Sequence, residues 1–351
     1  MKSAQVLFAA VLISLAIMSC QQKPKTETAA AAPKATMNDF LGQWTIDVQG
    51  GGVSWLEVRQ EKDYIDADLL WIGGSVSPVA SVYMDNHNHL IVGRFDNVVR
   101  TKDEKNNPVR THQIANWLKV SKEGDSKITG FLFRPRRDGT GIDSTGFTGT
   151  KLMAPPAAPD MASLKFGTPI NLFNGKDLTG WKLIDEKQKN GFSVKDGILV
   201  TDPAQVEGQE HISYGNLRTE QEFEDFNLKL EVNIPEGSNS GVYLRGMYEI
   251  QVLDSYKKPL DPHNMGALYS RITPSVSAEK PAGNWQTLDI TLCDRHVTVI
   301  LNGTKIIDNQ PVYGPTGGAM KSDVNSPGPI YLQGDHGKVA YRNLVLTPIV
   351  K

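Results

Sequence analysis

The chain has 351 residues, 37 Lys and Arg against 39 Asp and Glu, a formal net charge of −2, and two cysteines, Cys20 and Cys293. Near-neutral charge with acids and bases interspersed points to no nucleic-acid partner and to no anionic surface. The length suffices for two domains of ordinary size, whose cores would hold without a disulfide framework.

The first feature is an apolar run, Val6 to Met18, behind Lys2. It is too short for a comfortable membrane span and sits where an export signal sits. It ends Ile17-Met18-Ser19-Cys20, which resembles the lipobox of bacterial lipoproteins. The resemblance implies that residues 1–20 comprise a signal peptide and a lipidated Cys20, anchoring the chain to a membrane without a transmembrane helix. Gln21 resembles the residue found after the lipidated Cys when the protein goes to the outer membrane, so the expected location is the outer membrane, facing the periplasm or the cell surface. Residues 21–37 are Gln, Lys, Thr, Ala and Pro with almost no large apolar side chain, a composition that reads as a flexible tether.

Residues 38–152 show short β-favouring runs between turn residues, among them Trp44 to Val48, Val53 to Val58, Tyr64 to Trp71, His89 to Gly93, Asn116 to Val120, Ile128 to Phe133 and Phe147 to Lys151. This predicts a small antiparallel β-barrel or sandwich, with the role of spacer or sugar-binding accessory. Phe40-Leu41-Gly42-Gln43-Trp44 loosely resembles the opening strand of lipocalin-like barrels and says nothing about substrate. His87 and His89, in Asp85-Asn86-His87-Asn88-His89, read as a polar hairpin turn rather than metal ligands. A Pro/Ala linker at 153–163 then separates off residues 164–351, which are expected to fold and act alone from near Met161.

The second domain is again nearly all β. Leu199-Val200, Phe226 to Val232 and Val297 to Leu301 are strand-like, and Asn302-Gly303 is a two-residue hairpin signal. The pattern predicts a two-sheet jelly roll whose concave face is the binding groove. Its centre is Asn239 to Asp254, two alternating runs about a break at Gly246. Period-two alternation puts Tyr243 and Arg245 on one face of the first run, and Glu249 and Gln251 opposite Tyr248, Ile250 and Val252 in the second. If the break preserves the facing, Arg245, Glu249 and Gln251 converge on one surface. Gly314 to Lys321 is Gly-rich without the context of a phosphate loop, and reads as a mobile loop at the groove rim. No cofactor motif is visible, and none is predicted.

Three stretches carry a family resemblance: Asn171-Leu172-Phe173-Asn174-Gly175-Lys176-Asp177-Leu178-Thr179-Gly180-Trp181; Asn239 through Asp254; and Gly328-Pro329-Ile330-Tyr331-Leu332-Gln333 with His336 and Tyr341-Arg342-Asn343-Leu344. In this order the second domain resembles the 3-keto-disaccharide hydrolase family, with a concanavalin A-like jelly-roll fold. The resemblance implies an oxidised carbohydrate substrate carrying a ketone at C3, supplied by a separate glucoside 3-dehydrogenase. A C3 ketone acidifies the C2 hydrogen, so a base can form an enolate that expels the C1 substituent, and water can add to the enone. Glu249 is the first candidate base and His336 its rival. Tyr269 or His336 is the candidate acid, and Arg245, Gln251, Asp254, Tyr243 and Gln333 are candidates for substrate binding. Arg342 reads as a structural ion-pair partner, and Trp181 and Trp285 as core.

Two other readings compete. A conventional jelly-roll glycoside hydrolase pairs two carboxylates, but Gln251 cannot titrate and Asp254 is shorter than Glu, which leaves Asp254 a candidate for substrate or a divalent cation. A non-catalytic carbohydrate-binding module uses the same fold.

Overall fold

The computed structural model describes residues 34–350. The export signal, Cys20 and most of the tether therefore lie outside the described residues. From Ala35 on, the chain is a single compact unit, and it is all β apart from a 3-10 turn at Met37–Phe40.

Nine strands build the first sheet: β1 (Gly42–Val48), β2 (Val53–Gln60), β3 (Ile65–Leu70), β4 (Ser77–Pro78), β5 (Ser81–Met84), β6 (Leu90–Lys102), β7 (Pro108–Glu123), β8 (Lys127–Pro135) and β9 (Ile142–Lys151). Their order is β4-β3-β2-β1-β9-β8-β7-β6-β5, all antiparallel. The sheet curls into a half-barrel around one core, with Trp44, Leu56, Leu69, Leu90, Leu118 and Phe147 turned inward. One curled sheet, not a two-sheet sandwich, is thus the form taken. The β5–β6 turn is the expected polar one: Asp85 accepts from the N–H groups of His87 and His89, and Asn88 sits at φ 64°.

The linker does not hang free. Its Met153 and Pro159 carbonyls accept from Arg295 and Asn309. The remaining strands are β10 (Lys165–Phe166), β11 (Ile170–Asn171), β12 (Trp181–Leu183), β13 (Phe192–Lys195), β14 (Ile198–Thr201), β15 (Leu217–Thr219) and β16 (Phe226–Asn233). They continue with β17 (Asn239–Leu244), β18 (Tyr248–Leu253), β19 (Trp285–Cys293), β20 (His296–Leu301), β21 (Thr304–Pro311), β22 (Tyr331–Leu332) and β23 (Val339–Val350). One sheet runs β13-β14-β23-β16-β19-β20-β21, with β10 and β11 on β23, and the other runs β12-β15-β22-β17-β18. Between them lies the core, including Phe226, Leu228, Val242, Tyr248, Ile250, Val252 and Leu332. This is the expected jelly-roll sandwich.

Trp181 is a core residue whose indole N–H donates to Leu172 O at 2.6 Å. Trp285 is only half-buried and carries the Arg342 guanidinium 4.0 Å from its ring centre. Arg342 also grips Glu231 at 2.6 Å, the structural pairing its context suggested.

Asn302 and Gly303 turn β20 into β21 with φ of 51° and 82°, the mirror-image turn that suits the twist of a hairpin. A Cβ on Gly303 would meet nothing within 4 Å, so only backbone strain opposes one. We expect Gly303→Ala to lower stability by roughly 1 kcal/mol, seen as a lower urea midpoint with unchanged slope.

Candidate active site

Register and alternation decide which side chains share the face of Glu249. Tyr243 pairs with Glu249 and Gly241 with Gln251 across β17 and β18, while Tyr331 pairs with Tyr243 across β22 and β17. The partners opposite them, Val242, Ile250 and Leu332, enter the core, so Gly241, Tyr243, Glu249, Gln251, Tyr331 and Gln333 share the other face. Tyr243 and Tyr331 stack there with ring centres 3.8 Å apart.

Segment Gly266–Tyr269 extends this sheet. Gln251 N donates to Ala267 O and Tyr269 N to Glu249 O, both at 2.9 Å, with Ile250 and Leu268 bridged antiparallel. Tyr269 is therefore opposite Glu249 and on its face, with the Cβ atoms of such neighbours roughly 5 Å apart.

Glu249 is only 4% exposed. Burial pushes its carboxyl up to about 8, against the opposing effect of the Tyr243 hydrogen bond and the charge of His336. The Tyr243 hydroxyl lies 2.8 Å from Glu249 Oε2 and 2.7 Å from Gly317 O. A phenol has one proton, so both contacts become hydrogen bonds together only when the carboxyl is protonated and donates to the hydroxyl. The geometry and the raised carboxyl agree, since both favour the protonated form of Glu249.

His336 is more exposed and is held through Nδ1 by Asp335 Oδ1 at 2.7 Å. That bond, against partial burial, raises its imidazole above the ordinary range, and the Glu249 charge adds to it. Near it, Asn239 Oδ1 and Gln333 Oε1 are buried acceptors that find no hydrogen-bond partner among the described residues. Unpaired buried acceptors on a polar face suit a hydroxylated ligand.

Not every predicted residue reaches the groove. Arg245 does not converge with Glu249 and Gln251: it sits in the turn at φ 54°, which breaks the alternation, and its guanidinium donates to Val324 O at 2.7 Å and Ser326 O at 2.6 Å. Asp254 accepts from Gly237 N at 3.0 Å and closes a turn. Gln251 is on the right face, with its Oε1 accepting from Val252 N.

The Gly314–Lys321 segment is not a loose rim. Gly317 O and Gly318 O accept from Tyr243 and Tyr331, while Thr316 Oγ1 accepts from Glu249 N at 2.9 Å. Its outer side meets the half-barrel: Gly318 N donates to Ile72 O, and a Cβ on Gly317 would come within 2.3 Å of Gly74 O.

Tyr331 joins the face without any role implied by its residue type, and its period-two spacing from Gln333 is the signal in the sequence that places it there. A cavity of about 830 Å³ lies on the half-barrel along Phe131, Phe133 and Thr148. Asp225, Cys293 and Asp294 are the one three-residue grouping of metal-ligand type among the described residues, and they belong to the β16–β19 sheet.

A family described as the 3-keto-alpha-glucoside-1,2-lyase-like domain matches residues 168–347, just over half of the chain. The chain belongs to this family. The match spans every groove residue described above and excludes the half-barrel. No curated protein matches the chain. Among solved structures, a candidate glycosyl hydrolase from Parabacteroides distasonis ATCC 8503 is 27% identical over 56% of this chain and 93% of its own, with a TM-score of 0.41. A second from that organism is 24% identical over 51% and 92%, with a TM-score of 0.43. SCLam, a non-specific endo-beta-1,3(4)-glucanase from family GH16, is 11% identical over 56% and 93%, with a TM-score of 0.34. The fold assignment rests on the strand order itself, not on these scores.

Proposed function

We propose that the protein cleaves 3-keto-glycosides, with Glu249 as the base that removes the C2 proton. One observation carries this: a nearly buried carboxyl, raised to about 8 and bonded to a tyrosine, shares a sheet face with Gln251, Tyr331 and Gln333 in a family named for a 1,2-lyase. Glu249 takes the C2 proton, the C3 oxygen becomes an enolate oxygen, and the C1–O bond breaks as the departing oxygen receives a proton. Water then adds across C1 and C2, so the net change is hydrolysis.

Both groups are shifted upward, so it is the kind of group that divides the roles. An imidazole held protonated by Asp335 is a donor, which suits His336 to the enolate oxygen, and Glu249 is left as the base. Asn239 and Gln333 are suited to sugar hydroxyls. The two-carboxylate reading lacks its second member, since Gln251 occupies the facing position and Asp254 is spent on a turn. Incubation with a 3-keto-glucoside and with its unoxidised parent tests the proposal by NMR. Cleavage of the keto sugar alone is the expected result, and equal cleavage of both would overturn it. The substrate's ketone requires a preceding oxidation at C3 by another enzyme.

For location, we propose the lipid-anchored state at the outer membrane. Cys20→Ala should leave the fold intact and move the protein from the membrane to the soluble fraction on fractionation. A variant still in the membrane would remove the basis for the anchor.

A further inference from the structure

A hydrogen-bonded chain joins the two halves of the molecule at the groove. Asp261 Oδ1 accepts from His263 N at 2.8 Å and lies 2.6 Å from His263 Nδ1. These two contacts orient the ring so that Nε2 is 2.9 Å from Ser75 Oγ. Ser75 Oγ is in turn 3.2 Å from the Tyr269 hydroxyl, and the His263 ring packs edge-on against Tyr269 with centres 4.9 Å apart. Tyr269 shares the face of Glu249, as its register shows. The far end of the chain is wet, with 37% of the His263 side chain exposed.

Ser75 belongs to the half-barrel, in the segment between β3 and β4, and the packing around it is fixed. Val76 N donates to Ser270 Oγ at 2.8 Å, Ile72 N to Ser54 Oγ at 2.9 Å, and Ile72 O accepts from Gly318 N.

Resting on the reading of Glu249 as base, we infer that Asp261, His263 and Ser75 form a proton relay that resupplies Tyr269, the acid that protonates the departing C1 oxygen. With the imidazole charged, Nε2–H donates to Ser75 Oγ and the serine O–H to the Tyr269 oxygen, which leaves the phenolic proton free to point into the groove. As the C1–O bond breaks, that proton passes to the leaving oxygen. The serine proton moves to Tyr269, and the imidazole proton to Ser75. The Asp261 carboxylate, held below its usual range first by its His263 bond, compensates the cationic ring, and water returns the proton to His263. Protons and charge balance without a further reactant. Tyr269 is thus catalytic, and Ser75 and His263 are positioning residues.

The order Asp, His, Ser is also that of a nucleophilic triad, but here the serine faces a tyrosine hydroxyl, which makes it a conductor. Leaving-group dependence separates relay from packing. The full-length protein is assayed with methyl and 4-nitrophenyl 3-keto-glucosides, since nitrophenolate leaves without a proton. Ser75→Ala and His263→Gln should lower kcat on the methyl glycoside by about ten- to a hundredfold, at the low end of what acid catalysis contributes, and leave the nitrophenyl glycoside nearly untouched. Ser75→Thr should restore the methyl rate, and Ser75→Ala should cost nothing more in a Tyr269→Phe background. Equal losses on both substrates, or none on either, would overturn the relay while leaving the base in place. Covalent capture of Ser75 by a fluorophosphonate would also overturn it, in favour of a nucleophile. Failure of the wild type on both keto substrates would overturn the functional reading and the relay together.

Discussion

Replacement of Glu249 by Gln should reduce turnover of a 3-keto-glucoside by about a hundredfold or more while KM changes little. The amide keeps the shape and can still meet the Tyr243 hydroxyl, but it has no site for the C2 proton. In the wild type, kcat/KM should rise with pH through about 8 as the carboxyl ionises, and the variant should lack that limb. His336→Gln tests the division of roles. Near-normal activity in the Glu249 variant with collapse in the His336 variant would make His336 the base. Stability carries the same signature with a definite sign. The folded-state value lies above the unfolded one of about 4.3, so the buried neutral carboxyl contributes stability that is complete below that value and is lost as pH rises to about 8. Across that window the wild type should lose about 1.4 kcal/mol per pH unit relative to Glu249→Gln. The variant should therefore gain in relative melting temperature from pH 5 to pH 8, and a constant gap would contradict the burial argument.

The second large effect is expected at Gly241. A Cβ there would lie 2.3 Å from Glu249 Oε1 and 2.9 Å from its Cγ and Cδ, closer than any real contact allows. The backbone of Gly241 is not left-handed, and the three nearest atoms all belong to the Glu249 side chain. Gly241→Ala should push Glu249 off Tyr243 and crowd the sheet face that the two residues share. We expect a loss of activity comparable to that of Glu249→Gln, together with destabilisation of about 1–3 kcal/mol from overpacking. Gly241→Ala with Glu249→Ala should recover most of that stability and none of the activity, measured by urea unfolding beside turnover. If the double variant is no more stable than Gly241→Ala alone, the clash is not with Glu249.

Much of this site was legible in the sequence because a strand's period is strict. Val242, Tyr248, Ile250 and Val252 enter the core as alternation requires, and that places Tyr243, Glu249 and Gln251 together. Arg245 escaped the rule because one left-handed residue resets the facing, and nothing in the residue type Arg announces it. The Gly314–Lys321 stretch reads as mobile in the sequence because glycine is the mark of a flexible loop and equally of close backbone approach, which is what Gly74 and Tyr243 require of Gly317 and Gly318. The half-barrel's strands were found in their apolar middles. The long β6–β7 hairpin was read short, since its outer parts, such as Arg100 to Arg110, are charged and exposed. Ser75 gave no signal at all: its partner His263 is 188 residues away.

The turn at Thr316–Gly318 has a consequence for what can enter. It stands on the groove face, tied to Tyr243 and Tyr331 from below and backed by Ile72 and Gly74 of the half-barrel from behind. That side of the sheet face is therefore covered by packed backbone rather than open to solvent. On the proposed reading of Glu249, a glycan meets this covered side first, and terminal keto sugars are expected to be cleaved in preference to internal linkages.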